Sequence, residues 1–264
     1  MPRTFAVPMR YAYAYGMNIL LTNDDGFDAP GLHAAYQAVR SLGAVLVVAP
    51  KSERSACSHM ITLRAPVRVE RRTHHETYGT GFAVDGTPAD CVRLAVAALV
   101  DHRFDLIVSG INRGANAGVD IFYSGTVAGA REGAILGVPS IAVSQGIRSE
   151  VEIDWDATSA ITRHLVETLV KEQLPGPGFW SINLPSPIPD NPRDHIHRVP
   201  VAAHPMPMSF NRNDSDDGKT MEFDYGASYW LRDVTGPSDY STIRDGEIAL
   251  TAVPLVGEFS RTSL

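Results

Sequence analysis

Five short apolar runs, each stopping at a polar loop, constrain this chain more than any other feature. They are Met17–Thr22, Ala44–Ala49, Asp105–Ser109, Ser140–Ser144 and Phe179–Leu184. The first three read as buried parallel strands, covered on both faces, and the last two as further strands. The stretches between them carry helical spacing: Gly31–Leu42, Pro88–Val100, Thr126–Leu136 and Trp155–Gln173. Thr87 is a good N-cap, and Pro88 suits a first helical position. Val67–Glu70 and Phe82–Val84 carry weaker strand patterns. Strand and helix in alternation predict an α/β fold: a doubly wound, mostly parallel sheet in three αβα layers. Ligands in that class bind beyond the carboxyl ends of the strands, where strand order reverses.

After Leu184 the pattern changes. Prolines crowd the stretch to Pro207, "NRNDSDDGK" (211–219) reads as a hairpin tip, and Met221–Trp230 as a β segment. A short helix over Asp239–Asp245 and a last strand over Ile248–Val253 follow. The expected organisation is therefore a disordered extension over 1–16, a doubly wound core over 17–184, and an extended C-terminal β arm over 185–264. Such arms commonly pack on a second copy, which predicts a homodimer or homotetramer.

Composition narrows the function classes. The formal net charge is −7, so no stable nucleic-acid binding is expected. No apolar run has the length of a membrane span. Two cysteines are too few for a disulfide framework, and a cytoplasmic setting is the simpler expectation. Apparent motifs fail on inspection. "DGKT" (217–220) lacks the first glycine and preceding strand of a phosphate-binding loop, and "GTGFAV" (79–84) has Val84 where a dinucleotide fingerprint needs glycine.

The chemistry concentrates at the end of the first run, "NILLTNDDG", where Asp24 and Asp25 stand side by side. Adjacent carboxylates repel, and three arrangements would compensate. They could cap a helix, although one acid suffices for that. One could be a nucleophile toward a phosphoryl group, although that chemistry usually spaces its acids as D-x-D. Or both could hold a hard cation such as Mg²⁺ or Mn²⁺, which takes carboxylate, hydroxyl and amide oxygens. Two later loops offer such oxygens: "PKSERSACSHMITL", with Ser52, Ser55 and Ser58, and "SGINRGANAG", with Asn112 and Asn116. Ser124, Gly125 and Thr126 open a helix, whose free N–H groups suit phosphate.

Taken together, "ILLTNDDG", "VVAPKSERSACSHMITL", "GTPADCV", "VSGINRGANAGVDIFYSGTVAGAREGAILGVPSIAVS" and "INLP" resemble the survival protein SurE family of metal-dependent nucleotidases. The resemblance runs from Met17 to about Leu184, and "GEIALTAVPL" is similar to the family's last strand. It implies a Rossmann-like core and removal of phosphate from nucleoside 5′- and 3′-monophosphates, with short polyphosphate a further candidate substrate. It implies catalytic roles for Asp24 and Asp25, and a divalent cation, Mg²⁺ or Mn²⁺, held by Asp24, Asp25, Ser55 and Asn112. Substrate and phosphate contacts fall to Asn23, Asn116, Ser124, Gly125 and Thr126, and the family's dimers and tetramers use an extended C-terminal arm. The chain departs from the pattern twice. Ala56 replaces a glycine of the serine loop, which implies a backbone there outside the conformations only glycine tolerates, or a displaced Ser55. The sixteen-residue lead has no counterpart. Two rivals stay open: a nucleotide-binding protein without turnover, and a covalent aspartyl phosphatase.

Overall fold

The computed structural model describes residues 16–148, 151–172, 174, 177–214, 220–232 and 234–255. The N-terminal extension apart from Gly16, and the tip of the 211–219 loop, lie outside them.

Each apolar run became a strand, with ends within a few residues of those expected. In chain order they are β1 (Met17–Thr22), β2 (Gly43–Pro50), β5 (Leu106–Arg113), β6 (Ser140–Gln145) and β7 (Gly178–Leu184). The weaker patterns gave β3 (Val69–His75) and β4 (Gly79–Val84). The helices are α1 (Pro30–Val39), α2 (Pro88–Leu94), α3 (Gly125–Ile135) and α4 (Trp155–Leu169). Thr87 caps α2 in a full capping box with Asp90. Beyond Leu94 the helix widens into a π turn over Ala95–Leu99, so the regular helix is shorter than its spacing suggested.

Neighbouring residues of β1 point into different cores. Ile19 and Leu21 meet α1 and α4 residues such as Leu32 and Leu165, while Leu20 meets Val92 of α2. All three are 0% exposed, which is why the run could not afford a polar face. Helices therefore cover both faces of the sheet, with α1 beside α4 and α2 beside α3.

The sheet order is β3-β4-β2-β1-β5-β6-β7, with every neighbour from β4 to β7 parallel and β3 antiparallel to β4. Strand order reverses between β1 and β5, whose last paired residues are Thr22 and Ser109. Asn23–Asp25 thus leave the sheet beside Gly110–Asn112, where β5 parts from β1 but continues against β6.

The sheet does not stop at Leu184. β8 (Ile196–Arg198) and β11 (Ile248–Pro254) extend it, β11 antiparallel to β7 and parallel to β8. Ile248 and Ala249 are 0% exposed, so β11 is built into the central layer. Helix α5 (Asp239–Arg244) packs on β11, and Asp239 accepts N–H bonds of 2.8 Å from both Gly118 and Ala202. What stands apart is a hairpin of β9 (Phe210–Asp214) and β10 (Met221–Tyr225). It exposes Phe210, Met221, Phe223 and Tyr225.

Candidate active site

Three glycines of α3, each four residues apart, bring that helix unusually close to the sheet. A Cβ on Gly133 would lie 2.3 Å from Ser140 Oγ, and one on Gly129 2.7 Å from Ser109 Oγ. A Cβ on Gly125 would lie 2.8 Å from Asp24 Oδ2. The first turn of α3 is therefore pressed onto the end of β1.

The two aspartates part company there. Asp24 is 3% exposed and accepts a bond from the Thr126 hydroxyl, beside the positive end of α3. Burial pushes its carboxyl up to about 6; the Thr126 bond opposes the shift, and the charge of Asp25 adds to it. Asp25 is half-buried and accepts from the Arg113 N–H at 3.1 Å, across the reversal in strand order. Its carboxyl is also raised, by burial first and then by Glu53. Neither aspartate caps α1, whose N-cap is Ala29 with no side-chain bond. An acid pair held away from water with a third carboxylate nearby is costly unless positive charge joins it.

The serine loop folds over this pair. The Arg54 N–H donates to the Asp24 carbonyl at 2.7 Å, and Ser58 is fastened to the Tyr123 and Phe122 carbonyls. Ser55 is exposed and donates to Glu53 at 2.6 Å. Ala56 and Ser58 both lie in the left-handed region, with φ of +53° and +54°, which a residue with a Cβ can adopt. The loop keeps the left-handed turn that glycine would favour, at a cost of about 1 kcal/mol for a residue with a Cβ. Bonds on either side hold it there.

The other sequence-derived residues divide. Asn112 donates its NH₂ to the Gly114 carbonyl at 2.8 Å, leaving the amide oxygen as the group it can offer a ligand. Asn23 is fully buried and donates to the Gly26 carbonyl at 2.9 Å, and its Oδ1 has no partner among the described residues. Ser124 spends its oxygen capping α3 at the Val127 N–H. Asn116 bonds Ser144 through its side chain and Asn183 through its backbone, tying the loop after β5 to β6 and β7. Two residues went unnoticed in the sequence: Glu53, hidden between the serines, and Arg113, the variable position of S-G-I-N-x-G. Both line, with Asp25 and Ser55, an open cleft of about 920 Å³. Asp24, Asn112 and the first turn of α3 are not part of its lining.

No three His, Cys, Asp or Glu residues gather as a metal cage among the described residues. The available donors are carboxylate, hydroxyl and amide oxygens. With two raised carboxyls and one orphaned amide oxygen, that set suits a hard dication rather than a soft metal.

The fold and site define a class: a doubly wound α/β protein whose acidic, all-oxygen site sits where strand order reverses. The family model described as Survival protein SurE matches residues 19–206. A 5′-nucleotidase SurE of Rhodopirellula baltica is 38% identical over 252 residues, spanning 94% of this chain and 96% of the relative. One from Heliobacterium modesticaldum is 39% identical over 246 residues, spanning 90% and 86%. The crystal structure of a SurE protein from Aquifex aeolicus superposes with a TM-score of 0.76 at 30% identity, covering 92% of this chain and 95% of that one. The chain belongs to the survival protein SurE family.

Proposed function

We propose that this protein is a divalent-metal-dependent phosphomonoesterase that hydrolyses nucleoside 5′- and 3′-monophosphates. The observation that carries the proposal is the acid pair at the strand reversal, Asp24 buried under α3 and Asp25 facing the cleft, with both carboxyls raised chiefly by burial. The names of the relatives from Rhodopirellula and Heliobacterium support the substrate class.

Asp24, Asp25, Ser55 and Asn112 would hold the cation, Mg²⁺ or Mn²⁺. When bound, that cation supplies Lewis-acid polarisation of the phosphoryl group and a more acidic water. The protein's own groups do the rest. The Thr126 hydroxyl and the end of α3 fix Asp24 in one orientation. Asp25, which faces the cleft, accepts the proton of the attacking water. The Arg113 guanidinium in the same cleft pairs with phosphate oxygens as charge builds on them. Asn23, Asn116, Ser124 and Gly125 shape the loops behind these groups.

The wider reading is a cytoplasmic homodimer or homotetramer joined through the arm after Leu184, with its exposed β9–β10 hairpin, and acting on short polyphosphate as well. Among the described residues no helix is long and apolar enough to cross a membrane. Phosphate release from AMP, with Mn²⁺ and then with EDTA, tests the central claim. Metal-dependent release is expected. Tight AMP binding without release would favour a regulatory binding protein, and phosphate trapped covalently on Asp24 an aspartyl phosphatase.

A further inference from the structure

We propose that the cleft beside Asp25 holds the nucleoside half of the substrate, with its base stacked on the indole of Trp155. The proposal rests on the nucleotidase reading and adds to it the group that distinguishes a nucleotide from other phosphomonoesters.

The cleft is too large for phosphate and a cation alone. At about 920 Å³ it lies at the upper end of the range for whole small-molecule ligands. Its lining mixes two chemistries. Asp25, Glu53 and Arg113 lie on the elements that carry the acid pair, while the stretch from Ile147 to Trp155 adds Ile147, Val151, Ile153 and Trp155 beside the charged Arg148 and Glu152. A molecule with a charged group and a flat apolar one can be met by such a lining.

Trp155 is tied to the site through Gly31 of α1. A Cβ on Gly31 would lie 1.9 Å from the Ile111 carbonyl oxygen and 3.2 Å from Trp155 Cη2. The indole therefore abuts the chain one residue before Asn112, and glycine is what lets the three segments meet. Trp155 packs on the main core but remains half-buried, so part of the ring is left for the cleft. Its position is preorganised. It is the first residue of α4, and Asp154 caps that helix by accepting from the Asp156 and Ala157 N–H groups. The facing segment is braced from behind: the Trp230 N–H donates to the Ile147 carbonyl at 3.0 Å, and the Arg148 guanidinium lies 5.2 Å from the Trp230 ring centre. An aromatic face stacks on any base, so such a wall selects for nucleotides without strict choice among them.

The test compares Trp155→Ala, Trp155→Leu and Trp155→Phe on AMP and ribose 5-phosphate. Leucine keeps apolar volume without the ring, which guards against a variant that merely unfolds. The ratio of kcat/KM for AMP over ribose 5-phosphate should fall about tenfold or more in the Ala and Leu variants, the scale of losing one base–aromatic stack. It should stay near wild type in the Phe variant. An unchanged ratio in Ala and Leu would overturn the proposal even if both rates dropped. If the wild type turns over neither compound, the nucleotidase reading fails. Tryptophan fluorescence then decides the stack: quenching by AMP that disappears in Trp155→Phe upholds it, and no quenching overturns it.

Discussion

Replacing Arg232 by methionine would leave a buried carboxylate without its partner. The Arg232 side chain is 0% exposed and that of Asp120 8% exposed, with two bonds of 2.6 and 2.7 Å between them. A third bond of 3.0 Å reaches the Ala117 carbonyl, and the guanidinium lies 4.6 Å from the Tyr229 ring centre and 5.1 Å from that of Tyr240. Removing one member of such a pair costs about 3–5 kcal/mol, because the other stays buried and uncompensated. At roughly 2–4 °C per kcal/mol for a chain of this size, Tm should drop by about 10 °C. The penalty should also depend on pH. Burial already holds the Asp120 carboxyl above its ordinary range, against the opposing pull of Arg232. Without the arginine it rises further. A carboxyl raised in the folded state binds protons more readily there than in the unfolded chain. Stability is then greatest below the unfolded carboxyl value and is lost as pH rises through the folded one. Urea unfolding of Arg232→Met at pH 8 and pH 5.5 should therefore show the larger loss at pH 8. Asp120→Asn combined with Arg232→Met should cost less than the two single losses added. A loss under about 1 kcal/mol at pH 8, or one that grows on acidification, would refute the reasoning.

Other expectations are simpler. Asp25→Asn should lower kcat for AMP by about 10²- to 10⁴-fold, as losing a general base does, with an unchanged urea midpoint; near-normal kcat would remove Asp25 from the chemistry. Gly125→Ala should also lose most activity, because its Cβ would lie 2.8 Å from Asp24 Oδ2 and must displace either the acid or α3. Glycine-to-alanine inside a helix otherwise gains about 1 kcal/mol, so a more stable and fully active variant would contradict the packing described. Ala56→Gly relieves about 1 kcal/mol of left-handed strain in the folded state but loosens the unfolded chain by a similar amount. Its urea midpoint should barely move, and a large rise or fall would mean that the turn is not the one seen. Adding Mn²⁺ to EDTA-treated protein should raise Tm, and Asp24→Asn should abolish most of that rise; an equal rise in the variant would place the cation elsewhere.

The class of fold and the place of the chemistry were legible in the residues, and the reason is local. A short apolar run that stops at polar loop residues reads as a strand covered on both faces, and β1 has the bounds its six residues imply. Thr87 and Pro88 mark a helix start through bonds that span three residues. Two adjacent acids after such a strand signal a site because their repulsion needs an answer nearby. What the tertiary structure alone decided involves contacts distant along the chain. The spacing of Ile248–Pro254 says that it is a strand, but not that it lies between β7 and β8, antiparallel to the first and parallel to the second. Nothing in the loop around Asn116 says that its side chain meets Ser144 or that its backbone meets Asn183. Ala56 sits in a left-handed turn because bonds from Arg54 to Asp24 and from Ser58 to Tyr123 hold the loop at both ends. Local sequence encodes which surfaces must leave water; which partner covers each, and which polar group is left over to meet a ligand, is set only when the distant segments pack.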